Sequence, residues 1–249
     1  MFRKWRLVKH KLNLSIILRS LVFWVLACAA LPVYVILAVL VIPLAPKIRH
    51  RIIMTAPIYF TFLLKYVGGI KYTVRGLENV PSSPAIFAGN HQSAWETVVL
   101  NCFLPPCVWI MKKEVFNIPF YGWAVRALST IAIDRKKGEN SMTQVISQGK
   151  QRFGLGFWII MFPEGTRIKP KLRKPFKHGV AKLALSLDVP VVPFAHNAGY
   201  FLPRNSIWLY PGCVSVVVGA PIYPDDKEIA PFTKKIENWI HHELDEMGS

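Results

Sequence analysis

The chain has 249 residues, 52% of them hydrophobic, and its 31 lysines and arginines against 14 acidic residues give a formal net charge of +17. Such a length allows one well-buried domain with chain to spare, and such apolarity asks for a membrane segment. The charge suits an anionic bilayer surface or acidic substrates; nucleic acid is set aside because no helix-turn-helix, RNA-recognition or zinc-finger signature appears, and the scattered Cys28, Cys102, Cys107 and Cys213 argue against a disulfide framework or a zinc site.

The first predicted element is "LVFWVLACAALPVYVILAVLVIPLA", residues 21–45, which is 25 residues without a charge. About 20 helical residues suffice to cross a bilayer core. The run lacks a small-residue cleavage site followed by polar chain, so it reads as an anchor and not as a cleaved leader. Arg3, Lys4, Arg6, Lys9, Lys11 and Arg19 precede it, and Lys47, Arg49 and Arg51 follow. Basic flanks prefer the cytoplasmic side, so one straight span leaves one flank misplaced. Pro32 offers a break into a re-entrant hairpin; one anchor helix with a proline kink is the alternative. "IIMTAPIYFTFLL", residues 52–64 with Pro57 inside, reads as an interfacial helix. Composition becomes ordinary near Lys71, which places a membrane-anchoring helical module at 1–70 and a globular domain at 71–249.

Strands are predicted at 85–89, 107–111, 129–133, 157–162, 189–195 and 214–219, and helical periods at 94–103, 120–128, 141–153 and 178–187. A last helix begins near Ala230. The alternation predicts an α/β fold, and strands this uniformly apolar are buried on both faces, as in a mixed, mostly parallel sheet flanked by helices. Ligands of such sheets bind in loops beyond the carboxyl ends of the strands.

Two of those loops carry chemistry. "NHQSAWET" (90–97) follows the first strand. Ser93-x-x-Glu96 matches a helix capping box, which would make His91 a plain loop residue. The other reading has Glu96 holding one nitrogen of His91 and leaving the second free to take a proton. "MFPEGTR" (161–167) follows the strand at 157–162. Pro163 stops the strand, Gly165 permits a tight turn, and Arg167 brings a planar fork of donors suited to phosphate or carboxylate. An ordinary turn with a surface arginine is the plainer reading. The run Lys169, Lys171, Arg173, Lys174, Lys177 and His178 beside it is well placed to hold an anion, although a solvated basic face has the same composition. Arg135, with Asp134 as a potential partner, and Lys112 with Lys113 lie just past two further strands. A GxSxG elbow and a GxxxxGK[ST] loop are both missing, and "HHELDE" lacks the second histidine of a zinc helix.

Together, "NHQSAWE", "KKEVFNIPFYG", "IAIDR", "FPEGTR" and "VPVVPFA" resemble, in order, the motif blocks of the glycerolipid acyltransferases, and among them the 1-acyl-sn-glycerol-3-phosphate acyltransferases, over residues 70–220. The resemblance implies transfer of an acyl group from acyl-CoA or acyl carrier protein to the sn-2 hydroxyl of a lysophosphatidic acid, giving phosphatidic acid without a cofactor or a metal. It implies His91 as general base and Glu96 as its partner. Arg167, Arg135 and Lys112 would hold phosphate, with Glu164, Gly165 and Thr166 positioning the acceptor or, for Glu164, holding Arg167. Amides in the turns at 90–93 and 163–166 are candidate oxyanion donors. The family's usual aspartate is Glu96 here, and the extra methylene shifts the carboxylate by about 1.5 Å. The implied setting is an inner or plasma membrane with the catalytic domain on the cytoplasmic face. A related acyltransferase with another acceptor, such as glycerol 3-phosphate or a lyso-ornithine lipid, and a non-catalytic module binding anionic lipid are the alternatives.

Overall fold

The computed structural model describes residues 11–119, 121–134, 140–224 and 228–249. Its centre is a sheet of β1 (Ile70–Arg75), β2 (Ile86–Gly89), β3 (Cys107–Lys112), β4 (Ile131–Ile133), β5 (Trp158–Met161), β6 (Val191–His196) and β7 (Gly212–Val218). The strand order is β1-β7-β6-β2-β5-β3-β4. The five strands from β6 to β4 are parallel; β7 runs antiparallel to β6, and β1 is parallel to β7. The mixed, mostly parallel sheet read from the apolar runs is thus present. β2 and β6 are buried throughout because helices cover both of their faces. The unpredicted strand is β1, where Ile70, Tyr72 and Val74 turn inward while Lys71, Thr73 and Arg75 face solvent. Its alternation was the available signal.

One face of the sheet carries α1 (Leu14–Leu40), α3 (Thr55–Tyr66) and α4 (Trp95–Val99); Phe23, Ala27, Leu63, Leu64 and Trp95 share one core with Phe87, Trp109, Ile160 and Val214. The other carries α6 (Asn140–Gly154), α7 (Gly179–Leu187) and α8 (Ile229–Glu246), whose Val145, Leu183 and Ile236 pack on Ile86, Val108 and Ile159. α2 (Pro46–Ile53) and α5 (Tyr121–Ala127) meet the end of α1 around Ala38, Val41, Ile53 and Ala127. The predicted helix at 94–103 is shorter, passing into a 3₁₀ turn at Leu100–Cys102. Phe120, its predicted counterpart at the start of α5, lies outside the described residues.

α1 runs unbroken through Pro32, so the hairpin at that proline is not formed and the single-helix alternative is. A mid-helix proline costs about 3 kcal/mol; the turns on either side, anchored by Phe23, Ala27 and Ala38, hold the helix together. The chain turns instead at residues 41–45. The apolar stretch at 52–64 is likewise two elements, α2 ending at Ile53 and α3 accommodating Pro57 in its first turn, where a missing N–H has no partner to lose. α1 is long and apolar enough to cross a membrane by length and composition, and Leu18, Leu21, Val25, Val33, Ile36 and Leu40 are exposed along it. It is also fastened to the sheet unit: the Ser20 hydroxyl accepts from the Leu209 amide at 2.9 Å, and the Trp24 indole donates to the Ile207 carbonyl at 2.7 Å.

Candidate active site

β2 ends at Gly89, where an added Cβ would lie 2.3 Å from the Phe194 ring. This close approach brings the next residue, Asn90, against β6: its side chain accepts from the His196 amide and donates to the His196 carbonyl, each at 2.9 Å. His91 follows. Its ring stacks flat on Phe162, with centroids 4.1 Å and planes 6° apart, and its Nδ1 sits 2.6 Å from Glu96 Oε1. The same oxygen accepts the backbone N–H groups of Gln92 at 3.0 Å and Ser93 at 2.9 Å. Glu96 therefore performs both tasks that the sequence left open. It reaches back to the Ser93 amide as a capping box requires, and it holds the imidazole. Ser93 contributes its own half differently, accepting from the Trp95 amide at 3.0 Å.

Glu96 is fully buried. Burial is the largest influence on its carboxyl and pushes the pKa up, but the neighbouring His196 ring, the His91 bond and the Ser93 amide outweigh it and hold the group below the ordinary carboxylate value. An ionised Glu96 accepts a proton-bearing Nδ1, so Nε2 of a neutral His91 carries the free lone pair. Behind Glu96, His196 is buried with its Nε2 4.0 Å from Glu96 Oε2. Burial, ahead of the attraction of Glu96, keeps His196 below the ordinary imidazole value; its Nε2–H goes to the Asn90 carbonyl at 2.9 Å, and its Nδ1 accepts from the Ala198 amide at 3.2 Å. Sequence reasoning missed His196, because a lone histidine at the end of an apolar strand carries no pattern.

The turn after β5 grips the backbone of His91 from both sides. Glu164 Oε2 accepts the His91 N–H at 3.1 Å, and the Ile168 N–H donates to the His91 carbonyl at 2.7 Å. The turn itself closes through the Gly165 N–H to the Phe162 carbonyl at 3.0 Å, with Gly165 at φ +69°, a conformation that glycine adopts without strain. The predicted alternative role for Glu164, holding Arg167, is not formed: no ion pair joins them among the described residues, and the carboxyl faces the His91 amide instead. Burial, partly offset by the His91 N–H, pushes its pKa up to about 8. With the His91, Gln92 and Ser93 amides bonded to carboxylates and the Gly165 amide to a carbonyl, these four are withdrawn from the expected oxyanion donors.

A cleft of about 1040 Å³ opens over the carboxyl edge of the sheet beside His91. Arg167, Thr166 and Gly165 line it, as does Lys112 at the end of β3. The cleft thus gathers His91, Gly165, Thr166, Arg167 and Lys112; Glu96 and Glu164 stand behind it, and Arg135 lies outside the described residues. Asp134, a potential partner of Arg135 by sequence, is 3.6 Å from Lys113. Tyr121 of α5 also lines the cleft; burial raises the pKa of its hydroxyl and nearby Arg167 partly offsets this. Of the basic run after the turn, Lys177 and His178 face the cleft, whereas Arg173 turns away to Asp245 at 2.7 Å.

Residues 71–197 match the family model described as acyltransferase. The chain is 35% identical over 93% of its length to the 1-acyl-sn-glycerol-3-phosphate acyltransferase of Pseudomonas aeruginosa, covering 92% of that protein. It is 28% identical over 93% of its length to the enzyme of the same name from Saccharomyces cerevisiae, covering 78% of it. Its fold superposes with a TM-score of 0.78 on the crystal structure of the 1-acyl-sn-glycerophosphate (LPA) acyltransferase PlsC from Thermotoga maritima, at 22% identity, covering 94% of this chain and 96% of that one. A histidine–carboxylate pair beside a basic cleft, on a fold and a sequence shared with these proteins, leads to one conclusion: this chain belongs to the acyltransferase family.

Proposed function

We propose that the chain transfers a fatty acyl group from acyl-CoA or acyl carrier protein to the sn-2 hydroxyl of 1-acyl-sn-glycerol 3-phosphate, yielding phosphatidic acid. The observation that supports this most directly is His91 held by Glu96 at 2.6 Å beside a cleft lined by Arg167 and Lys112. In this reading Arg167 and Lys112, with Arg135, take the phosphate by charge-assisted hydrogen bonds, and Thr166 and the Gly165 turn position the glycerol. That grip brings the hydroxyl to His91 Nε2, replacing a bimolecular encounter with a fixed geometry.

The hydroxyl proton passes to Nε2 as the alcohol oxygen bonds to the thioester carbonyl carbon. Glu96 stabilises the resulting imidazolium. Collapse of the tetrahedral adduct breaks the C–S bond, and the thiolate leaves with the proton returned from His91, so the products are an ester and a thiol. Base, thioester and alcohol suffice, with no cofactor. Glu164 serves by holding the His91 peptide. The helical module at 1–70 would seat the catalytic unit at 71–249 on an inner or plasma membrane; the basic flanks of the apolar run favour the cytoplasmic face.

The test is an assay of the purified full chain with lysophosphatidic acid and radiolabelled palmitoyl-CoA or palmitoyl–acyl carrier protein, with glycerol 3-phosphate and a lyso-ornithine lipid as rival acceptors. Labelled phosphatidic acid is the expected product. Preferential labelling of a rival acceptor would replace the substrate, and binding to anionic vesicles without any transfer would replace the enzymatic reading.

A further inference from the structure

The cleft is larger than a glycerol phosphate needs. At about 1040 Å³ it reaches the upper end of the volumes that enclose a drug-sized ligand. It also crosses the sheet. Thr97 of α4 and Trp109 line it on the face that carries α1 and α3, and Ser141 and Met142 of α6, Lys177, and Lys182 of α7 line it on the face that carries α8. Its cations come from several elements. Arg167 lies near Tyr121 of α5, the helix packed on the end of α1. Lys177 and Lys182 stand on its α7 side; Lys177 bends over the turn after β5, its amide bonded to the Pro163 carbonyl at 3.0 Å and its Nζ 3.5 Å from where a Cβ on Gly165 would be. Among the described residues, neither lysine has a carboxylate within ion-pair distance and no acidic residue lines the cleft.

From this arrangement we infer that Lys177 and Lys182 form a second anion subsite, which takes the phosphate on the phosphopantetheine arm of the acyl donor. The inference rests on the acyltransferase reading above. Two anionic substrates must meet at His91, and they come from different media. A lysolipid reaches the cleft from the side of α1, whose exposed leucines and valines suit hydrocarbon. The donor's head is polar and water-borne, so it enters from the α6–α7 side, where the two lysines stand. The phosphate of the pantetheine arm is common to CoA and acyl carrier protein, so one subsite serves both.

The experiment compares the full wild-type chain with Lys177→Met/Lys182→Met, which keeps length and removes charge, using lysophosphatidic acid as acceptor. Three donors are used: palmitoyl-CoA, palmitoyl–acyl carrier protein, and palmitoyl-pantetheine, which lacks phosphate. The expected result is a fall of about tenfold or more in kcat/KM for the phosphate-bearing donors relative to palmitoyl-pantetheine, carried by KM. The KM for lysophosphatidic acid and the melting temperature should stay as in the wild type. An unchanged donor ratio overturns the subsite, and a loss confined to palmitoyl-CoA overturns the pantetheine phosphate in favour of the nucleotide. A raised KM for lysophosphatidic acid reassigns the lysines to the acceptor. If the wild type transfers from none of the donors, the enzymatic reading itself has failed, an outcome separate from all of these.

Discussion

The two sides of the cleft are held in opposite ways. Behind His91, the imidazole, Glu96, His196 and Glu164 are buried or nearly so and tied to one another or to backbone N–H and carbonyl groups at 2.6–3.2 Å. Facing them, Lys112 and Lys177 are exposed, and these two and Arg167 have no ion-pair partner among the described residues. A proton acceptor has to be fixed in orientation and tautomer before substrate arrives, and only burial with complete hydrogen bonding achieves that. Cations awaiting a phosphate gain from being free, since an internal carboxylate would compete with the ligand. The difference predicts that substitutions on the buried side lower kcat and those on the exposed side raise KM.

The largest effect should come from His91→Ala, which is expected to lower kcat by 10²- to 10⁴-fold, the usual worth of a general base, with the melting temperature nearly unchanged. Retained kcat would place the base elsewhere. Next, Glu96→Gln keeps an acceptor for the Gln92 and Ser93 amides but removes the charge that stabilises an imidazolium; kcat should fall about 10²-fold or more while KM moves little. A matching rise in KM would show that Glu96 shapes the cleft and not the base. Arg167→Ala is expected to raise KM for the phosphorylated acceptor about tenfold with kcat preserved, and a flat KM would move the phosphate to another part of the cleft.

The smallest effect is one of stability. Glu164 has a folded pKa of about 8 against an ordinary value of 4.5, so between those values the folded chain binds more protons than the unfolded one. Stability contributed by this group is therefore present in acid, falls as pH rises through that window, and levels off above about 8. Glu164→Gln should narrow the difference in melting temperature between about pH 5 and pH 8. An unchanged difference would mean that Glu164 is already ionised and solvated.

Much of the fold was legible because runs such as "FWIIMF" and "VPVVPFA" are apolar on both faces and so demand helix-covered strands. β1 was not, since half of its residues are charged or polar and only its alternation marks it. Pro32 misled for a related reason: a proline breaks a helix in isolation, but the packing of Phe23, Ala27 and Ala38 that retains this helix involves residues distant in sequence.

For the site, the chemical types and their loops are written in the chain: His91 and Glu96 five positions apart after one strand, and Gly165 and Arg167 after another. Local spacing suffices for this, because a strand end and a helix start bring such residues together whatever the remainder of the chain does. It took the packed fold to make Glu96 serve the imidazole and the helix start at once, to turn Glu164 to the His91 peptide and away from Arg167, and to close the back of the pair with His196. These contacts join β2 to β5 and β6, more than 70 residues downstream. Which of several buried polar groups meet across such distances is fixed by strand order and by the cost of leaving any of them unpaired, and neither can be read from neighbours in the chain.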